Sequence, residues 1–343
     1  PPKTNRYVVA ALYQFVSLDD PASWQNRLKE ICQHCQLMGT LLVAPEGLNG
    51  TVAGQHSDIK KFTDWLENKT PFKGLEIKFA LHDEPPFHRM KVRLKKEIVT
   101  MGQPKIKPSE QAGIYVAPDE WNQLISDPDV LVVDTRNSYE TAIGKFRGAT
   151  DPQTATFREF PAWAEALAER PATERPRKIA MYCTGGIRCE KSTALMKSIG
   201  FDEVYHLKGG ILKYLEDTPE DDSLWEGECF VFDNRVSVDH HLQQGSYQLC
   251  HACKMPLSKD DMEAEQYVAG VSCPNCFEKT TEQQRSRFAE RARQIDLARK
   301  RGIQHIGVRP KKIGAKTAAL LERLFTPDAR QQSPLNNLPS LQI

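Results

Sequence analysis

Residues 113–217 alternate short apolar segments with amphipathic ones, and this alternation constrains the fold more than any other feature of the chain. The apolar segments 131–133, 179–182 and 204–207 are continuous and strand-sized, so each predicts a buried strand. A helix is predicted at about 187–199, ended by a glycine. Strands that alternate with helices predict a parallel sheet with helices on its faces.

The loop after the middle strand contains the strongest candidate for a catalytic residue. It consists of Cys183, Thr184, Gly185, Gly186, Ile187 and Arg188. In a parallel sheet this is the carboxyl end of a strand, where ligands bind. Loop amides and a helix N-terminus favour negative charge there, and Arg188 adds a cation. We therefore expect Cys183 to be a nucleophilic thiolate. Simple packing of a buried thiol is the weaker alternative, because it does not explain the glycines and the arginine.

Two details of this loop bear on its chemistry. Cys189 follows Arg188 directly, and it is either a resolving thiol or a packing residue of the first helical turns. Four residues separate Cys183 from Arg188, whereas cysteine phosphatases place five residues between their cysteine and arginine. The shorter loop makes a smaller cradle, which favours sulfur over a tetrahedral phosphate.

The region before this domain predicts a separate α+β unit. Strands are predicted at 7–16, 40–44, 50–53, 75–81 and 90–99, with helices from Asp20-Pro21 to Gly39 and at 56–68. The order β-α-β-β-α-β is typical of a ferredoxin-like, or acylphosphatase-like, sandwich. Cys32 and Cys35 lie inside the first of these helices, so we interpret them as core residues.

Two Cys-x-x-Cys pairs lie near the C-terminus, Cys250 with Cys253 and Cys273 with Cys276. Nineteen residues separate the pairs, which is the spacing of a structural zinc ribbon. Four thiolates close a tetrahedral site, so we expect a zinc ion that stabilises the fold and does no chemistry. An iron–sulfur cluster and four unrelated thiols are the weaker alternatives.

Positive charge is concentrated after the cysteine pairs, although the whole chain carries a net charge of +1. Residues 285–316 contain eleven lysines and arginines against two acidic residues. Such a segregated patch favours a polyanionic partner, and we expect nucleic acid; a solvated charged helix is the alternative. The residues predicted to bind RNA are Arg285, Arg287, Arg291, Arg293, Arg299, Lys300 and Arg301.

These features divide the chain into five predicted regions. They are the ferredoxin-like domain 1–99, a linker 100–111, the parallel-sheet domain 112–220, the four-cysteine module 221–280, and a basic helical segment with a flexible tail 281–343. No apolar run is long enough to span a bilayer, and no signal peptide is visible. Nine cysteines in metal-type and thiolate-type patterns favour a reducing compartment, so we expect a cytoplasmic protein without a membrane partner.

The loop at Cys183 resembles the active loop of rhodaneses. Asp134, Arg136 and the segments 144–149 and 208–211 resemble the sequence signatures that flank this loop in the family. The resemblance implies a rhodanese α/β domain whose cysteine carries a persulfide. It also implies a mainly structural, supporting role for Asp134 and Arg136.

The chain as a whole resembles one rhodanese subgroup, the oxygen-dependent tRNA uridine hydroxylases, which convert the wobble uridine to 5-hydroxyuridine. The resemblance covers about residues 5–315 and rests on the four cysteines and on the segments 44–51, 183–191, 227–233 and 235–238. It implies an oxidoreductase that acts on the anticodon region of tRNA with molecular oxygen as co-substrate. No flavin or nicotinamide motif stands out in the sequence.

The reaction comes from this resemblance, and the residues add a mechanistic hypothesis. Cys183, as thiolate or persulfide, would add to C6 of the uracil ring and make C5 nucleophilic toward an oxygen donor. Two other classes of function remain open. One is a sulfurtransferase that carries a persulfide to a thiol or protein acceptor, and the other is a non-catalytic RNA-binding scaffold.

Overall fold

The computed structural model describes residues 7–83, 85–233 and 235–300. The first domain contains β1 (Tyr7–Phe15), α1 (Pro21–His34), β2 (Met38–Ala44), β3 (Gly47–Gly54), α2 (His56–Lys69), β4 (Ile77–His82) and β5 (Met90–Leu94). Its strands form a sheet in the order β4-β1-β3-β2-β5. The first four have the ferredoxin-like order, and β5 adds to this sheet parallel to β2. The ferredoxin-like prediction is confirmed.

The first helix begins where the sequence predicts it and ends earlier. The Asp20 side chain caps α1 by accepting from the Ser23 N–H over 3.0 Å, and Pro21 follows at the first helical position. The predicted stop at Gly39 is wrong, because the helix already ends at His34. Gly39 lies in β2 with a φ of +137°. A Cβ there would collide with the Thr51 carbonyl oxygen on β3, so this glycine permits close strand approach.

Alternating residues of β1 face two different neighbours. Val8, Ala10 and Leu12 point into a core formed with α1 and α2, in which Cys32 and Cys35 are also buried, as predicted. Tyr13 points to the opposite face of the sheet, where it reaches the second domain. The two domains therefore meet through the face of the sheet that the helices leave open.

The second domain is the predicted parallel sheet. Its elements are α3 (Pro108–Gln111), β6 (Ile114–Val116), α4 (Pro118–Ile125), β7 (Val130–Asp134), α5 (Ser138–Thr141), β8 (Gly144–Phe146), α6 (Phe160–Ala168), β9 (Lys178–Tyr182), α7 (Ile187–Ser198), β10 (Glu203–Leu207) and α8 (Gly210–Asp217). Strands β6-β10-β9-β7 pair in that order, all parallel. Trp121 of α4 and Tyr214 of α8 cover one face, and α6 and α7 cover the other.

Helix α7 is buried on both sides, because it lies between this sheet and the first domain. Its Lys191 has no exposed side-chain surface, and its ammonium group lies 2.6 Å from Glu46 and 2.7 Å from Glu97. Glu46 belongs to the turn between β2 and β3, and Glu97 follows β5. Two carboxylates on one buried ammonium give the charge compensation that burial requires. This ion-pair cluster joins the first domain to α7.

The start of the predicted four-cysteine module packs on the second domain. Strand β11 (Trp225–Gly227) pairs antiparallel with β8. Trp225, Cys229 and Val238 are buried in the same core as the parallel sheet. We therefore propose that the second domain extends to Val238 and that the module begins after it.

The remaining elements are small strands and two helices. They are β12 (Cys229–Phe230), β13 (Ser237–Val238), β14 (Gln248–Leu249), β15 (Pro256–Leu257), α9 (Lys259–Glu263) and α10 (Glu282–Lys300). None of the helices in the described part of the chain combines the length and apolar character that crossing a bilayer requires.

Candidate active site at the Cys183 loop

Cys183 lies at the carboxyl end of β9, in the loop that leads into α7. The backbone N–H of Gly186 donates to the Cys183 Sγ over 3.1 Å. Gly186 has a φ of +104°, a backbone conformation that side chains other than glycine rarely adopt. The loop therefore curls around its own sulfur atom, as the glycines predict.

The environment of Cys183 stabilises its thiolate. Burial acts to raise the pKa of this thiol, but the surrounding donors outweigh burial and lower the pKa to about 5. In order of effect they are the Cys189 thiol, the Arg188 guanidinium and the backbone N–H groups of Cys189 and Gly186. A thiol with that pKa is almost entirely ionised at neutral pH. The side chain is only 1% exposed, so the thiolate is held out of bulk water.

Arg188 is held in place by a buried carboxylate. Its guanidinium forms a bidentate pair with Glu140, with N–O distances of 2.6 and 2.8 Å, and also donates to Thr184 over 3.3 Å. Glu140 has no exposed side-chain surface. Such two-pronged pairs fix the orientation of an arginine as well as its charge. The cation beside Cys183 therefore has one defined position.

Asp134 and Arg136 form a second buried ion pair behind this one. Their charged atoms are 2.6 Å apart and both side chains are fully buried. Arg136 also donates to the main-chain oxygens of Glu140 and Gly144, over 3.3 and 2.6 Å. It thereby holds the short helix that carries Glu140. The supporting role that the resemblance implies for Asp134 and Arg136 stays a prediction.

Cys189 lies in the first turn of α7, and its thiol interacts with the Cys183 thiolate. Its thiol is buried and lies 3.6 Å from the Thr135 hydroxyl oxygen. Burial, and next the neighbouring Cys183, raise the pKa of Cys189 well above its ordinary value. Cys189 therefore stays protonated and donates to the Cys183 thiolate. This role as a donor is one that the sequence did not suggest.

The first domain contributes side chains to the same site. A Cβ at Gly186 would lie 2.7 Å from the Tyr13 hydroxyl oxygen, so Tyr13 lies directly against the loop. The Tyr13 hydroxyl donates to Glu190 of α7 over 2.8 Å. Lys78 of β4 donates to the main-chain oxygen of Gly209, and its charge also interacts with Cys183.

Tyr13, Lys78 and Glu190 were not predicted from the sequence as site residues. Tyr13 and Lys78 stand on ordinary strands of another domain, and only the packing of the two domains brings them to Cys183. Glu190 lies within the segment 183–191, on which the family resemblance rests, but nothing in the sequence singles it out. The strand alternation that points Tyr13 away from the first core was the one available signal.

The four C-terminal cysteines come together as predicted. The sulfur atoms of Cys250, Cys253, Cys273 and Cys276 all lie within 4.8 Å of one another. Cys273 Sγ lies 3.7 Å from the sulfur atoms of both Cys253 and Cys276. Zn–S bonds of about 2.3 Å in a tetrahedron place the sulfurs about 3.8 Å apart. The donor set and its spacing therefore fit a tetrahedral metal ion such as zinc.

Some arginines of the basic segment pack α10 onto the cysteine module. Arg291 donates to the main-chain oxygen of His251 over 2.7 Å, and Arg285 donates to that of Phe277 over 3.0 Å. Arg287 is exposed, and Arg293 is exposed but pairs with Glu290. Lys300 is likewise exposed and pairs with Asp296 over 2.9 Å.

The rest of the predicted RNA-binding set is not described. Arg301 and the tail lie outside the described residues, as does the side chain of Arg299.

Two family models match the chain. The UPF0176 acylphosphatase like domain matches residues 7–98, and the rhodanese-like domain matches residues 117–217. These two matches coincide with the ferredoxin-like sheet and with the parallel sheet that carries Cys183.

Similar curated proteins cover nearly the whole chain. A tRNA uridine(34) hydroxylase of Teredinibacter turnerae is 55% identical over 303 residues, which are 88% of this chain and 94% of that protein. One of Rhizobium leguminosarum bv. trifolii is 55% identical over 89% of this chain and 97% of its own length. One of Agrobacterium fabrum is 54% identical over 90% of this chain and 97% of its own length.

Proposed function

Because the chain belongs to the tRNA uridine(34) hydroxylase family, we propose that it hydroxylates uridine 34 of tRNA at the Cys183 loop. Uridine 34 is the wobble position, so the anticodon region of tRNA is the proposed partner and 5-hydroxyuridine the proposed product. The observation that carries this assignment to the loop is the buried Cys183 thiolate, whose pKa is lowered to about 5. A tRNA substrate and unpaired cysteines favour a cytoplasmic location.

The Cys183 thiolate acts as a nucleophile toward the uracil ring. Its sulfur adds to C6, and the electron pair of the C5=C6 bond moves onto C5 and the adjacent carbonyl. C5 thereby becomes nucleophilic toward oxygen. One atom of O2 is inserted at C5. The other atom is reduced to water, and this reduction uses two electrons and two protons supplied by an external two-electron reductant. Lys78 supplies positive charge beside this site.

The C-terminal module serves binding and stability in this proposal. Cys250, Cys253, Cys273 and Cys276 would hold a zinc ion, which supplies structural cross-linking and no chemistry, because four thiolates leave no open position. The exposed face of α10, with Arg287 and Arg293, would contact the tRNA backbone. Arg285 and Arg291 would act indirectly, by fixing α10 to the module.

A sulfurtransferase is the second candidate function. The match to the rhodanese-like domain supports it, and a thiolate in a cradle of backbone N–H donors also suits a persulfide. In that case the terminal sulfur of a Cys183 persulfide would pass to a thiol or protein acceptor, and Cys183 would leave as the thiolate.

The test is hydroxylation of tRNA by the purified chain and its Cys183→Ala variant. Transfer RNA from cells that lack all routes to 5-hydroxyuridine would be incubated with protein, reductant and O2, then digested and analysed by mass spectrometry. We expect the wild type to form 5-hydroxyuridine and Cys183→Ala to form none. Label from 18O2 should appear in the product.

Three results would overturn the proposal in different ways. Full activity of Cys183→Ala would exclude the thiolate as nucleophile. Absence of label from 18O2 would exclude molecular oxygen as the oxygen source. Rapid formation of thiocyanate from thiosulfate and cyanide, with no change to tRNA, would favour the sulfurtransferase.

A further inference from the structure

Glu190 is a carboxylate in the active-site region that the proposed nucleophile does not use. It lies in the first turn of α7, one turn after the Cys183 loop. Its Oε1 accepts from the Tyr13 hydroxyl over 2.8 Å, and that same hydroxyl lies directly against Gly186. Gly186 in turn donates its N–H to the Cys183 sulfur. A short chain of contacts therefore links Glu190 to the nucleophile.

The groups that face Glu190 come from two strands, from the residue that precedes β4 and from the Cys183 loop. They are Tyr13 of β1, Tyr115 of β6, Glu76 before β4 and Cys183. The Tyr13 hydroxyl hydrogen bonds the carboxylate, and Tyr115 also stabilises its charged form. Across residues 7–300, as far as they are described, no lysine or arginine forms an ion pair with Glu190. This differs from its neighbour Lys191, whose charge is matched by Glu46 and Glu97.

A carboxylate held by phenols has the properties of a proton acceptor. Burial raises the pKa of Glu190 to about 6, although the hydroxyls of Tyr13 and Tyr115 oppose this shift. Burial, and next the charge of Glu190, keep the Tyr13 hydroxyl protonated, so it remains a donor. A base is most useful when its pKa lies near the working pH. A structural carboxylate at this position would instead be expected to pair with a cation.

We propose that Glu190 accepts the C5 proton of the uracil ring in the step that releases 5-hydroxyuridine from Cys183. This inference rests on the proposed function. After oxygen has been inserted, C5 carries both a hydroxyl group and a hydrogen atom, and C6 is bonded to sulfur. The C5 proton passes to a Glu190 carboxylate oxygen, and the C–H electron pair forms the C5=C6 bond. The C6–S bond breaks, and Cys183 leaves as its thiolate.

In this arrangement Tyr13 and Tyr115 are positioning residues. They hold the carboxylate toward the loop and stabilise its charged form. They also make the first domain part of the active site, because Tyr13 reaches Glu190 from β1.

The test is the variant Glu190→Gln in the full chain, assayed with tRNA, reductant and O2. We expect kcat to fall about 10²- to 10⁴-fold with little change in KM, because removing a general base affects the reaction and not tRNA binding. The blocked step should leave tRNA covalently attached to Cys183, visible as an O2-dependent complex on a denaturing gel. The double variant Cys183→Ala/Glu190→Gln should form no complex.

A second variant tests the base through its pH profile. Glu190 must be ionised to accept a proton, so the wild-type rate should fall as the pH drops through about 6. Tyr13→Phe removes a hydrogen bond that favours the charged carboxylate, so this acid limb should move to higher pH. Glu110→Gln, which changes an exposed carboxylate on α3, should leave the profile and the rate unchanged.

The outcomes separate this inference from the proposed function. Wild-type kcat in Glu190→Gln, alongside an inactive Cys183→Ala, would reject Glu190 as the base and leave the hydroxylase proposal intact. A loss confined to KM, or no covalent complex together with an unshifted Tyr13→Phe profile, would show that Glu190 is only structural. If the wild type itself forms no 5-hydroxyuridine, the proposed function fails first.

Discussion

The chain contains two cysteine sites that handle thiolate charge in opposite ways. At the Cys183 loop a single sulfur is surrounded by donors, and these lower the pKa of Cys183 to about 5. In the four-cysteine module the Cys273 sulfur lies 3.7 Å from the sulfurs of both Cys253 and Cys276. There burial chiefly raises the pKa of Cys253 to about 11, although the backbone N–H groups of Cys253 and Ala252 lower the pKa of Cys250. The first site stabilises a thiolate with protein groups, whereas in the second the proposed zinc ion would compensate the charge of the thiolates.

Only one of these two sites leaves a sulfur atom free to react. A thiolate stabilised by N–H groups and an arginine keeps its electron pair available for attack on a substrate. Four thiolates that coordinate one metal ion donate their electron pairs to the metal and leave no open coordination position for a substrate. Substitutions at the two sites should therefore separate activity from stability.

The largest effect should follow from Cys276→Ser in the module. Structural zinc contributes about 10–16 kcal/mol of binding free energy in small zinc domains, so loss of one ligand should unfold the module. We expect the metal content, measured by mass spectrometry, to fall from one ion per chain toward zero. Limited proteolysis should then cut between residues 239 and 280.

Cys183→Ser is the matched control for this prediction. It should keep the metal, the protease resistance and the thermal midpoint, while hydroxylation is lost. Metal retained by Cys276→Ser, or metal lost by Cys183→Ser, would contradict the assignment of separate metal and catalytic roles to the two sites.

A smaller loss of stability should follow from Arg188→Met. This substitution leaves Glu140 buried without its partner, and removing one member of a buried ion pair costs about 3–5 kcal/mol. The pKa of Cys183 should rise as well, because the guanidinium charge is lost. Calorimetry should show a lower melting temperature for the second domain, and the metal content should stay unchanged.

Arg147→Gln provides the control for Arg188→Met. Arg147 pairs with Glu226 over 2.9 Å, but both side chains are more than half exposed. Exposed pairs contribute little to stability, so the melting temperature should hardly change. Equal losses in the two variants would show that burial of the Arg188–Glu140 pair is not what stabilises the site.

The sequence predicted those parts of the molecule that are marked by a pattern within a short, continuous segment of the chain. The strand before Cys183 is a continuous apolar segment, the loop contains its own glycines, and the four cysteines have a diagnostic spacing. The stop at Gly39 was wrong because that glycine serves contact between strands, which a helix-end rule cannot detect.

Contacts between distant segments could not be predicted in this way. Tyr13 and Lys78 reach the site only through the packing of two domains, and Trp225 joins the second domain by pairing β11 with β8. Glu140, which orients Arg188, lies on a four-residue helix that has no periodic pattern to reveal it. Each of these depends on tertiary structure that a single sequence does not encode locally.

The smallest effect should come from Cys189→Ala, which removes one donor from Cys183 and no charge. Far-ultraviolet thiolate absorbance, with Cys183→Ser as the blank, should titrate with a midpoint at about pH 5 in the wild type. The midpoint should move upward in Cys189→Ala, because the Cys189 thiol is the first of the groups that lower this pKa. Even a rise of about one unit leaves Cys183 mostly ionised at pH 7, so hydroxylation there should fall less than about twofold. An unshifted midpoint would mean that Arg188 and the loop amides stabilise the thiolate without Cys189. A much larger loss of activity at pH 7 would favour the role of Cys189 as a resolving thiol.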